Sequence, residues 1–388
     1  MKLRQIPEDF KVEEISNVAI SENNGNYKLY SLEKRNIETF SLLNYLSERN
    51  NIPLSEFGVA GMKDRHASTK QYFTIPLKYK LKTLTEKNYN INFLGYTSKK
   101  IKLGDLIGNK FEIVVRDIKK GELEGISQKA KDIEILGVPN YFDSQRFGSV
   151  INNRFIAKFL IKKDYEQAVK IYLTAFTKFE SHKIKEEKKC ILENWSNLSN
   201  LYIKNNLFFS VIKEYNKTNR WLEAYKKIPR NLREMYISAY QSYLWNECIK
   251  KLLRRKINNK YLYTIKYNIG TLVFYKKLSE EERNSLPNKF KTISEDIKPT
   301  EIEKEIINKV LAKEGIGLID FDIKKQTGNF FKLHERKVIS KPDNFKIFNP
   351  ELDEINDKGK NNRFKLKVSF VLQKGSYATV ITKRLFNN

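Results

Sequence analysis

The stretch Gly61-Met62-Lys63-Asp64-Arg65-His66-Ala67-Ser68-Thr69-Lys70-Gln71 sets one carboxylate between two cations. Positive charge at the adjacent positions favours the ionised form of a carboxyl group. An ionised Asp64 can act as a nucleophile or stabilise a cationic sugar. Lys63 and Arg65 can hold phosphate groups beside it. Thr69 and Gln71 can pin the loop by hydrogen bonds. On the residues alone, Lys-Asp-Arg also reads as an exposed turn with a local ion pair, which is worth little.

The other common chemistries lack their residues. There is no GxxxxGK[ST] loop and no GxGxxG after a strand, so neither a P-loop nor a Rossmann-type cofactor site has its fingerprint. There is no dense Asp/Glu cluster of the kind a two-metal site requires. The two cysteines, Cys190 and Cys248, form no CxxC, and His66, His182 and His334 lie far apart, so no zinc site is expected. Both cysteines read as buried apolar residues. No metal and no cofactor is expected.

The elements that must position Asp64 follow from hydrophobic periodicity. Phe10 to Ile15 and Tyr27 to Leu32 alternate as strands. Phe40, Leu43 and Leu46 fit one face of a helix over Thr39–Arg49. Phe57 to Ala60 is a short apolar run and Gln71 to Ile75 a further extended one, which places Asp64 in a strand–loop–strand context. Strands are expected at Ile91–Tyr96 and Lys110–Val115, then a helix from Gly125 to Leu136. From residue 151 the pattern turns to long helices. The clearest is Asn231–Ile257, entered through Pro229, with Leu232, Met235, Tyr236, Ala239, Tyr240, Tyr243, Leu244, Cys248, Ile249 and Leu252 on its packing face. Residues 276–314 read as a charged, solvated surface. Lys365–Phe370 alternates again, Lys374-Gly375-Ser376 breaks it, and Tyr377, Val380, Ile381 and Leu385 trace a last helix. Strands, then helices, then strands make an α+β domain interrupted by an inserted, mainly helical one.

The chain has 388 residues, 73 Lys and Arg against 46 Asp and Glu, and a net charge of +27. With 24 Phe and 21 Tyr it is a folded protein rather than a disordered basic tail. So much like charge opposes the compact state, so an anionic partner is expected. No window of about 18 apolar residues is present, and the start, MKLRQIPEDFKVEEI, lacks the apolar core of a secretory signal. The expectation is a cytoplasmic protein that binds nucleic acid through phosphates, without a membrane. A non-catalytic RNA-binding protein and an RNA methyltransferase share that charge; the first would not need Asp64 and the second should bind S-adenosylmethionine.

GMKDRHASTKQ resembles the signature of the TruD family of tRNA pseudouridine synthases, close to GxKDRxAxTxQ. Four further stretches resemble that family's segments in the same order. They are Arg4-Gln5-Ile6-Pro7-Glu8-Asp9-Phe10, Leu32 to Thr39 with its K-x-N-x-x-T, Asn140-Tyr141-Phe142-Asp143-Ser144-Gln145-Arg146-Phe147-Gly148, and Phe370 to Val380. The helical segment Ala239 to Asn246 is also similar to the family's inserted domain. Asp143 departs from the family's usual Gly; if that position needs a positive φ, Asp is among the better substitutes.

The resemblance implies a cofactor-free isomerisation of uridine to pseudouridine in tRNA, at uridine 13 of the D arm, with Asp64 as nucleophile. It implies Phe10 and Phe142 as aromatics of a base pocket, Asn140 as a polar contact, and Tyr377 against the base. Arg4 and Arg65 would hold Asp64 or the substrate phosphate, with Lys63 as a further substrate-binding residue. It implies an α+β, mixed or antiparallel-sheet catalytic domain at 1–150 and 345–388. A helical inserted domain at 151–344 would clamp the tRNA.

Overall fold

The computed structural model describes every residue except 64, 82–84, 179, 358, 360, 361, 387 and 388. Asp64 therefore lies outside the described residues. Its neighbours in the chain do not. The chain divides into two compact units, one formed by Met1–Val138 with Ser340–Asn388 and the other by Pro139–Ile339. Sequence reading expects the breaks at 150/151 and 344/345; by this division NYFDSQRFG travels with the second unit.

The first unit is built on a mixed sheet. Its main strands are β1 (Phe10–Ser16), β2 (Tyr27–Arg35), β3 (Ser68–Pro76), β4 (Tyr89–Thr97), β5 (Leu106–Lys119), β6 (Asp343–Ile347) and β7 (Arg363–Gln373). They lie in the order β6-β7-β5-β1-β3-β2-β4. β1 and β3 run parallel, with Lys11 beside Ser68 and Glu13 beside Lys70, while the other pairings along this path are antiparallel. Parallel neighbours need a crossover. Here it comprises β2, α1 (Thr39–Asn50) and the segment ending in the Asp64 loop.

α1 buries Leu42, Leu43 and Leu46 against Leu32, Phe73, Ile75 and Ile91. Phe40, expected on that face, is 46% exposed. Thr39 takes the inner position instead, because its hydroxyl has a partner there. α2 (Ile126–Leu136) packs beside the C-terminal helix Ala378–Phe386, whose Val380, Ile381 and Leu385 are buried.

A charged knot anchors the start of the chain. β5 carries an extra residue opposite β7, between the pairs Val115–Leu366 and Ile118–Phe364. Asp117 there adopts φ +57, the geometry of a β-bulge. The bulge leaves Arg116 buried, with Nε 2.8 Å from Asp9 Oδ1 and Nη1 2.9 Å from Asp353 Oδ1. Asp9 also accepts the backbone N–H groups of Gln5 and Ile6, each at 3.1 Å. Lys2 exchanges two backbone hydrogen bonds with Arg116.

Burial pushes the Asp353 carboxyl up, but hydrogen bonds from Asp117 N–H, Asn356, Arg116 and Ile355 N–H outweigh it and hold the group at about 2. Its ordinary value is 3.8. A lowered folded-state value means stability that is present above about pH 4 and lost as pH falls toward 2, here ~2 kcal/mol. The expected result is that thermal unfolding of the parent loses ground between pH 6 and pH 3 faster than that of Asp353→Asn. Equal losses would contradict it.

The second unit is mainly helical, with a long helix Arg230–Lys256 at its centre and Pro229 at its N-cap. Ile237, Ala239, Tyr240, Leu244, Trp245, Cys248, Ile249 and Leu252 form its buried face, while Met235, expected there, is 41% exposed. Cys248 is buried as expected; Cys190 is exposed. Short antiparallel pairs, including Leu262–Tyr267 with Gly270–Tyr275, complete the unit. Among the described residues no helix is long and apolar enough to cross a membrane.

Candidate active site

The loop that carries Asp64 is fixed from several sides in the first unit. Gln71 Nε2 donates to the carbonyl of Gly61 at 3.3 Å, and Thr39 Oγ1 donates to Gln71 Oε1 at 2.8 Å. The same Thr39 hydroxyl accepts the backbone N–H of Lys63 at 3.0 Å. Lys34 Nζ donates to the carbonyls of Ile37 at 2.8 Å and Lys63 at 3.2 Å. All three side chains are buried. Buried backbone groups need such partners, so the K-x-N-x-x-T segment and Gln71 dictate the path of the chain into residue 64. Thr69, expected to share this work, does not: its buried hydroxyl makes no hydrogen bond among the described residues.

Lys63 points its ammonium inward. Nζ lies 3.1 Å from Glu14 Oε2 and 2.6 Å from Asn109 Oδ1, and the Lys63 side chain is 9% exposed. Arg65 stays on the surface, with Nε donating to the carbonyl of Asn36 at 3.3 Å. The two cations flanking Asp64 in the chain are thus placed differently, one neutralised in the interior and one facing solvent.

Phe10 opens β1 and is only 3% exposed. Its ring meets the edge of Phe111 at 6.1 Å, and Phe111 meets Phe370 at 5.7 Å, so β1, β5 and β7 share an aromatic row. The Arg4 guanidinium covers Phe10 at 4.0 Å from the ring centroid, a distance suited to cation–π attraction. Arg4 holds φ +57. The Asp9–Arg116 contact, one residue before Phe10, fixes this corner. Tyr377 is half-buried between the end of β7 and the C-terminal helix. Arg4, Phe10, Lys63, Arg65 and Tyr377 all belong to this unit.

Asn140 and Phe142 belong to the other. Asn140 is 6% exposed and its polar atoms turn inward: the N–H bonds Val338, Nδ2 bonds the Lys337 carbonyl, and the backbone carbonyl and Oδ1 accept from Arg336 at 2.8 and 2.9 Å. Asn246 clamps Phe142, accepting its N–H at 2.9 Å and donating to its carbonyl at 2.8 Å. The half-buried Phe142 ring lies edge-on to Trp245 at 5.7 Å, with the Arg336 guanidinium 4.1 Å from its centroid. Asp143 has φ −109, so this position makes no demand for the left-handed backbone considered from sequence. Its carboxylate instead accepts the Ser144 N–H at 2.7 Å as an N-cap.

Sequence reading missed Glu14, Lys34, Thr39 and Asn109 as loop supports, and Asp9 with Arg116 as the anchor of Phe10. One signal was available. In the alternation Phe10-Val12-Glu14, a carboxylate occupies an inward position of a buried strand face, which demands a partner. No group of His, Cys, Asp and Glu able to hold a metal is found among the described residues.

The family model described as tRNA pseudouridine synthase D (TruD) matches residues 1–385. "Probable tRNA pseudouridine synthase D 2" of Methanocaldococcus jannaschii is 44% identical over 394 residues, covering 100% of this chain and 92% of that protein. "Probable tRNA pseudouridine synthase D 1" of Methanococcus maripaludis is 40% identical over 395 residues, covering 100% of both. A crystal structure from Methanosarcina mazei, described as a TruD, aligns with a TM-score of 0.71 at 24% identity and covers 100% of this chain and 93% of its own. That likeness establishes the α+β fold.

Proposed function

We propose a reaction from the premise that this chain belongs to the tRNA pseudouridine synthase D family. The protein is a tRNA pseudouridine synthase, an isomerase that converts uridine to pseudouridine within tRNA. The bond between uracil N1 and the ribose C1′ breaks, the base turns, C5 joins C1′, the C5 proton is lost and N1 takes up a proton. Atoms and electrons balance without a redox partner or a transferred group, so the chemistry is cofactor-free. Asp64 is the nucleophile: its carboxylate attacks C1′ of the ribose as N1 leaves, or adds to C6 of the base, and is expelled again as or after the C5–C1′ bond forms. The site is uridine 13 of the D arm, and the cytoplasm is the compartment.

The observation that supports this reading best is the clamping of the loop. Gln71, Thr39 and Lys34 hold the backbone of Gly61 and Lys63, which fixes the chain on the amino-terminal side of Asp64. An attacking group works only from a defined position, and supporting hydrogen bonds supply that definition. The base must leave its stack to be reached. In the first unit the Arg4–Phe10 pair offers it a planar surface, with Arg4 covering Phe10; Phe142 belongs to the second unit and is a further aromatic for the RNA. Arg65 takes a phosphate from the surface. Lys63 contributes through the loop's backbone, its charge being held by Glu14. Tyr377 assists removal of the C5 proton. Asn140 acts by holding the segment that carries Phe142. The first unit is the catalytic domain and the second the tRNA clamp.

Incubation with tRNA transcripts carrying 5-tritiated uridine tests the reaction. The protein should release tritium in step with product formation, undiminished by EDTA. A folded protein that binds the tRNA and releases no tritium would exclude the activity.

A further inference from the structure

We propose that Glu14 is a positioning residue for this reaction: by holding Lys63 it fixes the backbone of the loop that carries Asp64. The inference rests on the reading of Asp64 as nucleophile. Glu14 sits on the inward face of β1 after Phe10 and Val12, and its side chain is fully buried. Asn109 stands directly opposite it in the β1–β5 ladder. Both reach the same ammonium, Glu14 at 3.1 Å and Asn109 at 2.6 Å. The backbone of Lys63 is held independently by Thr39 and Lys34. The residue before Asp64 is thus fixed at its main chain and at the tip of its side chain.

An ion pair in this place is a poor way to stabilise a fold. Taking two charges out of water offsets much of their attraction, and apolar residues of similar volume commonly serve as well or better. Burial does push the Glu14 carboxyl upward, against the pull of Lys63. What the pair provides is a single location. An apolar side chain slides along an apolar surface, whereas an ammonium between a carboxylate and an amide oxygen has one seat. Glu14 touches no substrate in this account; it acts through Lys63 on the chain.

The test compares single-turnover tritium release at saturating enzyme for the parent, Glu14→Gln, Lys63→Met and the double variant. The tRNA dissociation constant and thermal midpoint are measured in parallel. A misplaced loop should slow the chemical step ~100-fold in Glu14→Gln while tRNA affinity stays within about threefold. The double variant should be no slower than the slower single variant, because both remove one device. A Glu14→Gln rate equal to the parent's, or a loss found wholly in tRNA affinity, would overturn the proposal. Should Glu14→Gln fail to fold, Lys63→Arg carries the test: it keeps the charge but moves the chain, so a rate at least ~10-fold lower in a folded protein supports the proposal and a parental rate overturns it. Asp64→Asn separates the two readings. If it is inactive while Glu14→Gln is parental, only the positioning role fails; if it is active, the nucleophile assignment fails first.

Discussion

Asp64→Ala should lose at least ~10⁴-fold in turnover, since removing the attacking group leaves only binding and orientation. The dissociation constant for tRNA should stay within about threefold, because affinity for RNA comes chiefly from phosphate contacts spread over a basic surface. Net charge is +27 before the substitution, and deleting one carboxylate makes it more positive. Weaker binding would therefore be the wrong sign for a simple charge effect. The split between lost rate and kept affinity distinguishes an attacking group from a fold-supporting one. Single-turnover tritium release with parallel filter binding gives both numbers. Residual turnover within tenfold of the parent, on the order of 1.4 kcal/mol in barrier, would place the nucleophile elsewhere.

Arg116→Ala should produce the largest stability loss. The guanidinium is 4% exposed and bonds Asp9 and Asp353, both buried. Its removal strands two carboxylates in the interior of the first unit, a situation that costs roughly 3–5 kcal/mol. Glu354→Ala removes the third partner, which is 56% exposed, and should cost less than about 1 kcal/mol. Denaturant midpoints followed by circular dichroism measure both. Equal effects would mean that the buried knot contributes no more than a surface pair. The knot also bears on function, because Asp9 precedes Phe10 and accepts the N–H groups of Gln5 and Ile6. Loosening it should disturb the Arg4–Phe10 stack.

Regular elements were legible wherever one face is buried and the other wet. β1, β3, β5, β7 and the helix Arg230–Lys256 all repeat their apolar residues at the period of their own backbone. What periodicity hides is the identity of the inward residue when that residue is polar. Thr39 displaces Phe40 from the inner face of α1 because Thr39 serves the loop, and no count of apolar residues contains that. Glu14 sat in plain view at an inward position, yet its meaning depends on Lys63, 49 positions later in the chain. Asp9 waits on Arg116 and Asp353 in the same way. On the residues alone, Asp64 between two cations also reads as an exposed turn; the resemblance of GMKDRHASTKQ and its companion segments to a family signature is what points to chemistry. The supports were not legible, because Lys34, Thr39 and Asn109 are ordinary polar residues until the sheet brings them together.

Residues 139–150 make the same point for domains. NYFDSQRFG has no periodicity of its own, so sequence order assigns it to the strands before it. Its partners are Trp245, Asn246 and Arg336, all far along the chain. Asp143 illustrates a different limit. A residue type compatible with positive φ is compatible with much else, and here the side chain caps a turn with the backbone extended.

The most direct measurement maps carbodiimide-reactive positions in tRNA after incubation with the parent and with Asp64→Asn. The parent should create one new stop, at position 13, in tRNA that carries uridine there. Asp64→Asn should leave the tRNA unchanged at every position. The same new stop from both proteins would contradict a carboxylate at residue 64 as the attacking group, and none from the folded parent would contradict the activity itself.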